Sequence, residues 1–224
     1  MCRIQLPDRL KTLCAEVKQL SGREVIWKED ADVAGLMGSA IDHDGNPTIS
    51  YQNFSEAGAA EELMHLKYQL KGFAGLKQKK GSVNRRAQQA ATMLQNSAHH
   101  FLFYPLLEEW GYNPRQAEAH STRRQAKAIE ENFAQTTVTD SFKAFCAMLY
   151  VRSLLDAMDE ALVGEVSEFL ENRVPEALSM GKKVSETIRN ELGSSAAGYR
   201  ATLDKCLKLM KLEGSYETND PQAT

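Results

Sequence analysis

The sequence is poor in several features that would have named a function. Its 224 residues include four cysteines, Cys2, Cys14, Cys146 and Cys206, and no two form a Cys-x-x-Cys pair. That spacing argues against a cysteine zinc cage and for reduced thiols packed in helices, which points to the cytoplasm. There is no Gly-x-Gly-x-x-Gly turn, Walker loop or Gly-x-Ser-x-Gly elbow, so nucleotide-cradling and serine-hydrolase chemistry have no anchor. No apolar run approaches the length needed to cross a bilayer. The segment Met1-Cys2-Arg3-Ile4-Gln5-Leu6-Pro7-Asp8 lacks the apolar core of a secretory signal. Neither sign of charge dominates: 27 basic against 30 acidic residues leave a net charge of -3, which gives no bulk electrostatic reason to expect a nucleic acid. What remains, 42% hydrophobic and 25% charged residues, is the make-up of an ordinary globular protein with one sizeable core or a small domain with a helical extension.

Periodicity divides the chain unevenly. Pro7 suits a first helical turn, and Leu10, Leu13, Cys14, Val17 and Leu20 recur at helical spacing up to Gly22. The β-rich part follows: residues 24–27, 35–41 and 48–51, the last two flanking a turn with Asp-Gly and Asn-Pro steps at 44–47. Ser55 can cap a helix carrying Ala59, Ala60, Leu63, Leu66 and Leu70, which Gly72 closes. Residues 78–86 read as a solvated basic loop with Ser82 or Asn84 as helix caps. Beyond it all periodicity is helical, over 87–110 with a break or bend at Pro105, then 114–134, 142–158, 161–170, 175–192 and 196–212. The expected fold is α+β: a small three-stranded N-terminal sheet packed on the helix over 55–70, then a predominantly helical C-terminal half. The expected organisation is an α+β domain over 1–114, a helical extension over 115–214 and a disordered polar tail over 215–224.

Chemistry concentrates in Glu61-Glu62-Leu63-Met64-His65 and in Asn96-Ser97-Ala98-His99-His100. A His-Glu-x-x-His helix binds zinc through two histidines four residues apart, and its glutamate acts as general base. Here Glu62 and His65 stand at the base and second-ligand positions, and Glu61 replaces the first histidine. Residues 61 and 65 share a helix face, while 62 projects about 100° away. Asn96 and His100 are also four apart, so both can point into one cleft and His100 can complete a ligand set with Glu61 and His65. His99 would lie off that face. The alternative is a solvated Glu-Glu face and a packed histidine. A carboxylate binds Zn²⁺ at about 2.0–2.2 Å, much as imidazole does. Its negative charge offsets part of the metal's, which predicts weaker hydrolysis, and an oxygen-richer set opens the site to Mn²⁺ or Mg²⁺.

The stretch over 47–114 resembles the zincin-like metallopeptidase domains related to the IrrE type. It shares Glu62, His65, Gly72-Phe73, Asn96, His100, Tyr104-Pro105 and Gly111-Tyr112 with them. It departs at Glu61, and Leu66 directly follows His65 where the family has one residue between. The resemblance covers under half of the chain. It implies a Zn²⁺-dependent hydrolysis of peptide bonds with Glu62 as general base, Glu61, His65 and His100 on the metal, and Asn96 and Tyr104 lining the cleft. The partner would be a peptide or protein. A second reading keeps the fold without turnover, as a module in protein–protein interaction, with the C-terminal helices as a dimer face or partner platform. His43, His120, Trp110 and Tyr112 read as turn, surface and helix-end residues.

Overall fold

The computed structural model describes residues 5–31, 37–73, 75–79, 81 and 84–219. Cys2, the start of the second strand segment at 35–36, Lys80 and Ser82 of the basic loop, and 220–224 of the tail lie outside them. The fold is α+β, with a three-stranded sheet near the N-terminus and a mostly helical C-terminal half. The chain forms two compact units, one comprising Met1–Phe73 with Leu106–Pro114, the other Ala74–Pro105 with Arg115–Thr224.

In the first unit, helix α1 (Asp8–Ser21) buries Leu10, Leu13 and Val17 on one stripe and ends at Gly22, whose N–H bonds Lys18 O. Strands β1 (Ile26–Glu29), β2 (Met37–Ile41) and β3 (Pro47–Tyr51) follow. Their order is β1-β3-β2, with β1 parallel and β2 antiparallel to β3. The connecting turn is held by Asp42, whose Oδ1 accepts from the N–H groups of Asp44 and Asn46 at 3.0 and 2.8 Å. Helix α2 (Glu56–Leu70) starts where the Ser55 hydroxyl accepts from Gly58 N–H at 3.1 Å, an N-cap that satisfies an otherwise orphaned donor. It packs on α1 and against β2 and β3 through Ala59, Ala60, Leu63 and Leu66. A Cβ on Gly58 would lie 2.7 Å from Met37 Sδ, so the missing side chain leaves room for the Met37 thioether over the start of the helix.

In the second unit, β4 (Leu76–Gln78) pairs antiparallel with β5 (Tyr216–Thr218). Neither was legible in the periodicity, because three residues hold no repeat to read, and β5 lies in the segment expected to be disordered. Buried Tyr216 and the ladder to residues 76–78 give it the partners that polar composition does not advertise. Helix α3 (Arg85–Glu109) runs unbroken through Pro105, which removes one hydrogen bond to Phe101 O without ending the helix. Asn84 caps it, its Oδ1 accepting from Ala87 N–H at 2.9 Å. Arg86 is not a solvated loop charge: its guanidinium lies 4.7 Å over the Phe145 ring.

Helix α4 (Pro114–Glu131) and a 3₁₀ turn (Phe133–Gln135) lead to α5 (Asp140–Val151). The expected single helix over 142–158 changes character at Arg152, where a π-helical segment (Arg152–Ala157) takes over and Met158 closes it at φ 49°. Helices α6 (Glu160–Arg173), α7 (Pro175–Glu191) and α8 (Ala196–Leu209) complete the unit. Helices α5 and α7 approach closely at Gly181, where a Cβ would lie 2.9 Å from Ala147 O. Buried Phe142, Phe145, Met148, Leu149, Val184, Ile188 and Leu203 form much of this core.

Candidate metal centre

The helical repeat of α2 sends Leu63 and Leu66 into the core and leaves Glu61, Glu62 and His65 half-buried. Glu61 and His65 stand one above the other, as their spacing requires. Glu62 points elsewhere, and its Oε2 accepts a 2.6 Å hydrogen bond from Ser39 Oγ on β2. The sheet therefore helps to orient the Glu62 carboxylate.

Helix α3 supplies His100, which is 2% exposed. Its ring stacks on that of Tyr104, centroids 4.2 Å apart and planes at 12°, while the Phe103 ring meets it edge-on at 5.7 Å. Tyr104 in turn lies under the Arg115 guanidinium at 5.6 Å. Behind the imidazole, Asp156 Oδ2 sits 3.5 Å from His100 Nδ1 and accepts from Ser97 Oγ at 2.7 Å. Asp156 is fully buried and belongs to the π-helical segment. Arg152, one turn earlier, approaches the same oxygen with Nε at 3.8 Å and pairs with the Glu118 carboxylate of α4. Burial pulls the Arg152 pKa down, but the carboxylates of Glu118 and Asp156 outweigh it and hold the guanidinium charged. Arg115 donates to Leu155 O and Asp156 O at 3.0 and 3.2 Å, capping carbonyls at the end of that segment.

One donor atom each of Glu61, His65 and His100 lies within 4.8 Å of the others, a group that could hold a metal ion. Two ligands at about 2.1 Å from one zinc are at most about 4.2 Å apart, so the 4.8 Å bound is on the scale of a shared ion's ligand set. Two imidazoles and a carboxylate, three protein donors in all, are a composition used by catalytic zinc sites that keep a position open. On proximity and on donor chemistry these residues fit a divalent ion of the zinc type.

Asn96 is half-buried on α3, one turn before His100, and Tyr104 is fully buried against the imidazole. His99 faces away, stacked on Tyr199 at 5.2 Å. His43 and His120 are exposed. The thiols of Cys146 and Cys206 are pushed up to about 12 by burial, and that of Cys14 to about 11 by burial and the Glu24 charge. A thiol so raised carries little thiolate at neutral pH and makes a poor nucleophile.

Motif reading passed over Ser39, Ser97, Glu118, Arg152 and Asp156. The available signal was a set of charged and hydroxyl residues, Arg152, Ser153 and Asp156, inside an apolar helical run, where burial demands partners. Among the described residues no helix is long and apolar enough to cross a membrane. No protein-family model, curated protein or solved structure matches the chain, so the zincin-like resemblance stands on the residues quoted for it.

Proposed function

We propose that the chain is a zinc-metallopeptidase-like protein, a hydrolase of peptide bonds with activity reduced by its Glu-Glu-x-x-His motif. The observation that carries this reading is the convergence of Glu61, His65 and His100 donors within 4.8 Å. Glu61, His65 and His100 would hold the ion, and a bound Zn²⁺ would supply Lewis-acid polarisation of a carbonyl and a more acidic water. Glu62 is the general base: it takes a proton from water and returns it to the leaving amine. The Ser39 hydrogen bond holds the Glu62 carboxylate in one orientation. The Glu61 carboxylate weakens the electrophile relative to a histidine at the same position. Asn96, one helical turn from His100, would bind a substrate carbonyl or amide.

That same Glu61 charge supports a second reading, a module that keeps the metal-binding residues without turnover and acts through a partner protein. Its helical half would be the platform, for a partner or for a second copy of the chain. Elemental analysis of protein purified without added metal tests the ligand set. Cleavage of a broad peptide library with added Zn²⁺ then separates the readings. Activity in wild type that Glu62→Gln abolishes supports the hydrolase. Silence in wild type with activity gained in Glu61→His identifies a disabled peptidase, and silence in all three leaves the binding module.

A further inference from the structure

The buried network behind His100 has no role in the hydrolytic reading, yet it converges on Asp156 Oδ2, which faces one edge of the imidazole. Asp156 is 0% exposed. Its Oδ2 accepts from Ser97 Oγ at 2.7 Å and faces His100 Nδ1 at 3.5 Å, a contact just longer than a formed hydrogen bond, and Arg152 Nε at 3.8 Å, whereas Oδ1 has no hydrogen-bond partner among the described residues. The carboxylate is thus polarised towards the His100 side. A buried carboxylate is costly unless compensated, and here Arg152, itself held by Glu118, supplies the opposite charge. The backbone that presents Asp156 is a π-helical segment, a rare geometry that shifts side chains off the α-helical register and recurs at functional sites.

We infer that Asp156 is a positioning residue: its carboxylate holds His100 in the tautomer with the proton on Nδ1, so that Nε2 carries the lone pair offered to a metal ion. Metal-ligating histidines commonly direct their second nitrogen at a carboxylate, which fixes the ring and raises its donor strength. The stacking of Tyr104 on the same ring restrains its tilt, so Asp156 selects the tautomer and Tyr104 the plane. Ser97 keeps Oδ2 in place. The inference rests on the metal-binding reading for its purpose, but the tautomer is a property of the metal-free protein.

Nitrogen-15 long-range imidazole spectra of the metal-free wild type, with His100 assigned through a His100→Gln variant, read the tautomer directly. The expected result is Nδ1–H with unprotonated Nε2, and a shift towards the mixed population in Asp156→Asn. Chelator competition with Zn²⁺ should show affinity about 10–100-fold weaker in Asp156→Asn and a smaller loss in Ser97→Ala. A His100 protonated on Nε2 in the wild type overturns the inference. So does Zn²⁺ affinity in folded Asp156→Asn within about twofold of wild type, given the usual size of outer-shell effects. If wild type binds no Zn²⁺, the metal-binding reading fails and the tautomer spectrum alone decides the role of Asp156. Should Asp156→Asn not fold, the wild-type spectrum and Ser97→Ala carry the same decision.

Discussion

The two helices that carry the candidate ligands are supported in opposite ways. On α2, Glu61 and His65 are half-buried side chains on a helix held by apolar packing and a serine cap, and Glu62 accepts a hydrogen bond from Ser39 on a neighbouring strand. On α3, His100 is buried to 2% and backed by aromatic rings, an aspartate, a serine and an Arg–Glu pair. A half-exposed position tolerates exchange of one donor for another, because water solvates whichever group stands there. A buried one does not, since every polar atom must be matched by its neighbours. On this asymmetry, exchange of the side chain should be better tolerated at position 61 than at position 100.

The largest test of that contrast is removal of Arg152. Arg152→Ala removes a buried cation that pairs with both Glu118 and Asp156, and it should cost about 3–5 kcal/mol, as breaking a buried pair does. Glu61→Gln in metal-free protein keeps the side chain's shape and an acceptor oxygen at a half-buried position, and it should cost clearly less than that. Urea denaturation of both variants measures the difference, and equal costs would break the comparison.

A smaller effect is expected at the start of α2. Ser55→Ala removes the acceptor for Gly58 N–H and should lower stability by about 1 kcal/mol. Hydrogen exchange should place the loss in the first turn of α2, leaving the amides of α5 and α7 unchanged. Protection lost equally in both units would mean that the cap supports more than its own helix.

The smallest concerns the thiols, which sample the two units separately. Cys14 is half-buried with its pKa pushed up to about 11, and Cys146 and Cys206 are buried with theirs at about 12. In each case the unfolded chain loses the proton first as pH rises, so these groups lower folding stability above about pH 8.5 and leave it unchanged below. Alkylation of native protein at pH 8 should be slow at all three, and on raising the pH Cys14 should react before the other two. Rapid modification of Cys146 or Cys206 at neutral pH would show that the second unit opens more readily than its packing implies.

Much of the architecture was legible in the chain because it depends on local chemistry. Leu10, Leu13 and Val17 announce α1 by their spacing, Ser55 and Asn84 announce helix starts, and the Asp-Gly and Asn-Pro steps mark the hairpin. The pairing of Glu61 with His65 follows from 3.6 residues per turn. Tertiary structure alone decided the rest. No periodicity foretells that α5 gives way to a π-helical segment at Arg152, because that register change is stabilised by contacts from residues 97, 115 and 118, far away in sequence. The same holds for β4 and β5, three-residue strands that exist only as each other's partners. The sequence by itself determined the helices, the hairpin and the residue types able to bind a metal. Only the folded chain decided that Ser39 would hold Glu62 and that Asp156 would stand behind His100, because a buried charge takes its partners from whatever packing brings near.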